Sequence, residues 1–113
     1  MKQPSKHIIA FVTTADKEEA RKIAGHLIEK KLAACVNIVS GVGSIYWWEG
    51  KVDTSQEVLM VIKSQSKLFT KIVSAVKQLH SYQCPEIIAL PIAAGQKDYL
   101  KWIDDSINRK DKG

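Results

Sequence analysis

His80, Cys84 and Glu86 make the densest group of side chains that could do chemistry in this chain, spaced as His-x-x-x-Cys-x-Glu across a break in the hydrophobic pattern. Imidazole and thiolate are ligands for copper and zinc, and a carboxylate adds charge and hardness. The spacing matches no finger and no helical ligand pair. A plainer reading stands beside it: His80 ends a helix, where a positive ring complements the helix dipole, Cys84 fills space, and Glu86 ends a strand. Thr13-Thr14-Ala15-Asp16 places hydroxyls and free amides at a helix start, a generic anion site without the glycines of a phosphate loop. No Ser-His-Asp order, Gly-x-Ser-x-Gly elbow or carboxylate pair stands out, so the expectation is a binding protein and not an enzyme.

Tyr46-Trp47-Trp48 is the least ordinary stretch. Strand neighbours point to opposite faces, so three consecutive rings cannot all enter one core. Aromatics at a hairpin tip mark an interface, and these three residues are the expected contact between copies of the chain; base stacking is the alternative. Four lysines (Lys63, Lys67, Lys71, Lys77) and no acid fall between Val58 and Pro85. The chain has only two arginines, Arg21 and Arg109, whereas phosphate and base recognition favours the arginine fork. The lysines therefore read as a solvated helix face, and no nucleic-acid partner is expected.

These residues need elements to hold them. His7–Thr14 is a short apolar, β-branched run typical of a buried strand. Asp16 with Glu19 three residues on is a capping signature, and Ala20, Ile23, Ala24, Leu27 and Ile28 then recur with helical period over about 16 residues. Ala33–Val39 and Ser44–Trp48 read as a strand interrupted at Gly41-Val-Gly43, where glycines suggest a bulge or bend. Glu49-Gly50-Lys51 is a hairpin turn, and 56–63 returns as a strand. Ser64 or Ser66 caps a second helix carrying Phe69, Ile72, Val73, Val76 and Leu79. Pro85 prevents its continuation; 86–90 is the last strand, and a third helix follows Gly95.

The order β-α-β-β-α-β with one added helix has a preferred solution: an α+β, ferredoxin-like βαββαβ sandwich, with a long hairpin between the second and third strands and an extra C-terminal helix. Strands three and four are apolar on both sides, so the second sheet face also needs cover, and oligomerisation is the economical way to supply it.

The totals agree. The 113 residues (12.6 kDa) suit a single domain over 1–113 with an ordered core of about 7–108. Burial on folding is then about 12,000 Å², enough for a core without disulfides. Two cysteines form no CxxC pair and no disulfide framework. No apolar run approaches the roughly 20 residues of a membrane span, and the start of the chain lacks a leader pattern. The expectation is a cytoplasmic protein with no membrane partner. Net charge is +5, a modest bias.

Five separated stretches also resemble one family. They are Leu32-Ala-Ala-Cys-Val-Asn37, Ser44-Ile-Tyr-Trp-Trp-Glu-Gly-Lys51, Glu57-Val-Leu-Met60 with Lys63, His80-Ser-Tyr-Gln-Cys-Pro-Glu-Ile-Ile88, and Gly95-x-x-x-Tyr-Leu-x-Trp-Ile103. In order and spacing, from Ile8 to Ile107, they resemble the CutA family. The resemblance implies a ferredoxin-like protomer in a homotrimer built like the PII signalling proteins, with tolerance to divalent cations, copper above all. Bacterial members place a cysteine where Val12 stands and often a His-His pair where Leu79-His80 stands. The ligand set the resemblance implies here is thus reduced to His80 with Glu86 and Cys84. A second expectation, by analogy with PII, is a sensor or scaffold whose inter-subunit clefts take a small anion or a partner protein through Lys63 and Lys67.

Overall fold

The computed structural model describes residues 5–109. The reading of the chain start as leaderless falls partly on residues 1–4, and the domain expected over 1–113 on 110–113 as well; both stretches lie outside the described residues. The elements are β1 (His7–Thr14), α1 (Lys17–Glu29), β2 (Cys35–Trp48), β3 (Lys51–Gln65), α2 (Phe69–Leu79), β4 (Ile87–Pro91) and α3 (Lys97–Asn108). The strands form one antiparallel sheet in the order β2-β3-β1-β4, the expected ferredoxin-like arrangement.

Helix α1 starts where the capping signature puts it. Asp16 Oδ1 accepts the Glu19 amide at 2.8 Å, and Glu19 Oε1 accepts the Ala15 amide. It is shorter than the periodicity suggests, because the chain turns left-handed at Lys31 (φ 57°). The amides of Lys31 and Leu32 then close back on the carbonyls of Ile28 and Leu27, a Schellman stop. Ala20, Ile23, Ala24 and Leu27 are buried, whereas Ile28 is exposed.

The start of α2 corrects the sequence reading. Neither Ser64 nor Ser66 caps it: the Ser64 hydroxyl donates to the Leu32 carbonyl at 2.6 Å, and that of Ser66 to the Ser5 carbonyl. A 3-10 turn over Ser66–Leu68 leads into the helix instead. Both hydroxyls are used in tertiary bonds that sequence spacing does not reveal.

Helices α1 and α2 cover one sheet face. There Ala10, Val12, Met60 and Ile62 meet Ile23, Leu27, Ile72 and Val76, each side chain essentially sealed from water. On the other face α3 covers one end only, burying Ile103 and Ile107. Asp104 anchors it there by accepting from His7 Nε2 (2.9 Å), Gln65 Nε2 (2.7 Å) and Lys6 Nζ (3.2 Å). Further along that face Val39, Ile88 and Leu90 remain exposed.

The hairpin outruns the sheet. β1 pairs with β3 only from Val58 to Gln65, so the β2–β3 ladder from Val42/Glu57 to Trp48/Lys51 continues alone. This arm extends about 24 Å at strand rise. A bulge between Val39 and Val42, with Gly41 at φ 76°, re-aims it. The two-residue tip, Glu49 (φ 49°) and Gly50 (φ 78°), is left-handed at both positions, which matches strand twist in a type I′ turn. β2 is thus one strand kinked by its glycines, and β3 begins five residues earlier than its apolar pattern suggests.

Candidate functional site

Four elements meet where the arm leaves the sheet. They are the end of β1, the start of α1, the 80–86 segment that Pro85 keeps from becoming helix, and the base of the arm. His80 is the pivot of that segment, with its side chain fully enclosed. Its Nε2 lies 2.7 Å from the Thr13 carbonyl oxygen, and its Nδ1 lies 3.0 Å from the Tyr82 amide. A carbonyl only accepts and an amide N–H only donates, so the proton sits on Nε2 and Nδ1 accepts. Glu19, already part of the α1 cap, also takes the Ser81 amide at 2.9 Å. The segment is thereby held to β1 and α1 at once.

Tyr82 extends this hold to the arm. Its ring packs against His80 at a centroid distance of 4.7 Å, and its hydroxyl donates to Glu57 Oε2 at 2.8 Å. Glu57 stands at the arm base, opposite Val42, and is only 8% exposed. Burial first, and then the Glu57 carboxylate, push the Tyr82 hydroxyl well above its ordinary value, because both disfavour a phenolate there.

Between the arm and this segment lies a cleft of about 700 Å³. Tyr46, Trp48, Asp53 and Glu57 border it from the arm, Tyr82, Cys84 and Glu86 from the segment, and Thr13 from β1. Residues 46, 48 and 53 share one face of the arm, because Tyr46 pairs with Asp53 and Trp48 with Lys51. The opposite face carries Ile45 (77% exposed), Trp47 (75%) and Val52 (59%).

The residues singled out in the sequence divide accordingly. Cys84 and Glu86 share the cleft, whereas His80 is sealed behind Tyr82 with both ring nitrogens engaged. Among the described residues no three His, Cys, Asp or Glu side chains gather closely enough to hold a metal ion. Of the three candidate ligands, Cys84 and Glu86 border the cleft, while the His80 Nδ1 is engaged by the Tyr82 amide. Tyr46, Trp47 and Trp48 all lie on the arm and border the cleft. Lys63 and Lys67 do not border it: Lys63 donates to Asn37 within the sheet, and Lys67 lies exposed in the 3-10 turn.

Sequence reasoning missed Tyr82, Asp53 and the role of Glu57. A tyrosine two residues after His80 falls in a break of the hydrophobic pattern and in one of the family-like stretches, and neither assigns it a role. Nothing in local spacing joins Glu57 to a residue 25 positions away.

The family model described as "CutA1 divalent ion tolerance protein" matches residues 8–106. The divalent-cation tolerance protein CutA of Archaeoglobus fulgidus is 45% identical over 101 residues, covering 89% of this chain and 98% of that protein. Its counterpart in Thermus thermophilus is 47% identical over 98 residues, covering 87% and 95%. The chloroplastic CutA 1 of Oryza sativa is 48% identical, and the match spans 88% of this chain but only 56% of that longer protein. The crystal structure of CutA1 from Oryza sativa superposes with a TM-score of 0.89 at 45% identity, covering 95% of this chain and 98% of that one. The family is described by tolerance to divalent ions and not by a catalysed reaction. By sequence along nearly its whole length and by fold, the chain belongs to the CutA1 divalent ion tolerance family.

Proposed function

We propose that the protein is a homotrimeric, non-enzymatic divalent-cation-binding protein of the cytoplasm, with copper as the preferred ion. The observation that carries this reading is the arm. A two-stranded ribbon is marginal on its own in water, yet this one exposes Ile45, Trp47 and Val52 on one face and Tyr46 and Trp48 on the other. The chain exposes 7826 Å², whereas a compact monomer of this mass exposes about 6,200 Å². Copies of the chain set around a threefold axis cover such arms and the bare sheet face together, and cyclic symmetry closes the assembly.

The same arrangement supports the metal reading. Cys84 and Glu86 are an incomplete set within one chain, and a neighbour's donors complete it at a shared cleft. Thiolate favours copper over the harder divalent ions. The family's tolerance to divalent ions gives the activity its context.

The test is calorimetric titration of Cu(II) into metal-free wild-type protein and into Cys84→Ser and Glu86→Gln variants, each checked for assembly by sedimentation. The expected result is saturable binding by wild type, weakened about tenfold or more in each variant. Equal binding by all three, or none by any, removes the metal reading.

A further inference from the structure

The helical layer carries a stripe of one charge along the seam between α1 and α2. Glu19 accepts the Ser81 amide just beyond the end of α2, so the Glu19 side of α1 faces α2. Residues 19, 22, 26 and 30 recur every three or four positions and share that side. After Glu19 it presents Lys22, His26 and Lys30. Across the seam, α2 and the turn before it, 66–79, hold no acid at all, and Lys67, Lys71 and Lys77 are exposed. Glu19 is turned inward to the Ala15 and Ser81 amides beside His80. Glu18 and Glu29 stand on the neighbouring row of α1. Among the described residues, Lys22, Lys30, Lys67 and Lys71 make no ion pair.

The make-up of the stripe narrows the chemistry of its partner. Its cations attract anions, and every one of its full charges is a lysine, a point charge without the fork that matches phosphate. No aromatic ring is exposed on either helix for a base to stack on. Ile28 is the one large apolar side chain that the described part of these helices exposes, too little to enter a lipid surface. What fits is a row of carboxylates on a chain flexible enough to follow the seam. Helix α1 has 13 residues and is about 20 Å long, the span of about six residues of extended polypeptide.

We propose that this stripe docks an acidic, extended segment of a partner protein, its carboxylates lying over Lys22, Lys30, Lys67 and Lys71. The proposal is independent of the copper reading. The assembly proposed above covers the arms and the opposite sheet face, and it leaves the outer side of these helices to solvent.

A fluorescein-labelled octaglutamate peptide is the probe, titrated into the full chain and read by fluorescence anisotropy. An eight-nucleotide oligothymidylate and phosphatidylserine vesicles are titrated in parallel. Saturable binding of octaglutamate is expected, weaker at about 300 mM salt than at about 50 mM. A Lys67→Glu, Lys71→Glu double substitution should weaken it about tenfold, because each reversal exchanges an attraction for a repulsion. Lys22→Glu, on the other helix, should act in the same direction and provides a second variant should the double one fail to fold. Lys97→Glu, at the start of α3, makes a charge change equal to that of Lys22→Glu away from the stripe and should leave affinity within about twofold. No saturation by octaglutamate up to about 1 mM, a loss in Lys97→Glu equal to that in Lys22→Glu, or undiminished affinity in the folded stripe variants overturns the proposal. Tighter binding of the oligonucleotide or the vesicles than of the peptide also overturns it.

Discussion

The imidazole of His80 donates from Nε2 to the carbonyl oxygen of Thr13 at 2.7 Å, with no part of the side chain open to solvent. Thr13 is the penultimate residue of β1 and His80 the first after α2, so one hydrogen bond fastens the end of a sheet strand to the end of a covering helix. Replacement by alanine removes both ring hydrogen bonds, strands a buried carbonyl and leaves a cavity. His80→Ala is expected to cost about 2–4 kcal/mol, read as a lower urea midpoint at unchanged slope. A loss below about 0.5 kcal/mol would contradict the enclosed, doubly bonded imidazole.

Tyr82 carries a pH signature. Its hydroxyl is held above its ordinary value of 10.0 by burial and by Glu57. A raised value in the folded state means that the unfolded chain loses this proton first as pH rises. The stabilisation is complete below pH 10 and is lost as pH climbs through the folded value. Tyr82→Phe should cost about 1–2 kcal/mol at pH 7 through the missing bond to Glu57, while flattening the fall of stability above pH 10. An alkaline limb identical to wild type would show that Tyr82 is not the group responsible.

Asp104 acts at the other end of the scale. Desolvation pushes its carboxyl up, but hydrogen bonds from Gln65, His7 and Lys6 together outweigh this and hold it below its ordinary value of 3.8. A lowered folded value gives stability that is present above 3.8 and lost as pH falls through the folded value. Asp104→Asn should therefore loosen α3 at neutral pH and reduce the dependence of stability on pH below about 4. Thermal unfolding of both proteins from pH 2 to 7 measures it. Curves that stay parallel down to the lowest pH would assign the acid sensitivity to other carboxylates.

The arm tip is improvable. Glu49 adopts φ 49° ahead of Gly50 at φ 78°, a backbone that asparagine tolerates better than glutamate. Glu49→Asn should raise stability by about 0.5–1 kcal/mol, seen as a higher melting temperature. A fall instead would mean that the Glu49 side chain makes a contact between copies.

Much of this architecture is legible in local patterns, for reasons that also mark where legibility stops. Asp16 and Glu19 announce α1 because capping is local, and Gly41 and Gly50 announce the bulge and the tip because only special backbone angles permit them. Alternating faces in Tyr46-Trp47-Trp48 foretold an arm with exposed rings. Ser64 and Ser66 misled, since a hydroxyl near a helix start looks like a cap wherever its real partner lies far along the chain. The surroundings of the candidate site are hidden from the sequence for the same reason. His80, Cys84 and Glu86 looked like one cluster on spacing, but an enclosed imidazole bonded at both nitrogens stands apart from the two residues that reach the cleft. Glu57, Tyr82 and Asp53 shape that cleft through pairings that register and tertiary packing create.

The proposed function rests on an assembly of three chains, because the proposed copper set of Cys84 and Glu86 is incomplete among the described residues of one chain. Sedimentation velocity of the metal-free protein at micromolar concentration tests it most directly. The expected result is a single species of three times the 12.6 kDa chain mass, dissociated or aggregated by a Trp47→Ser, Val52→Ser double substitution on the exposed arm face. A single species at the mass of one chain would contradict it.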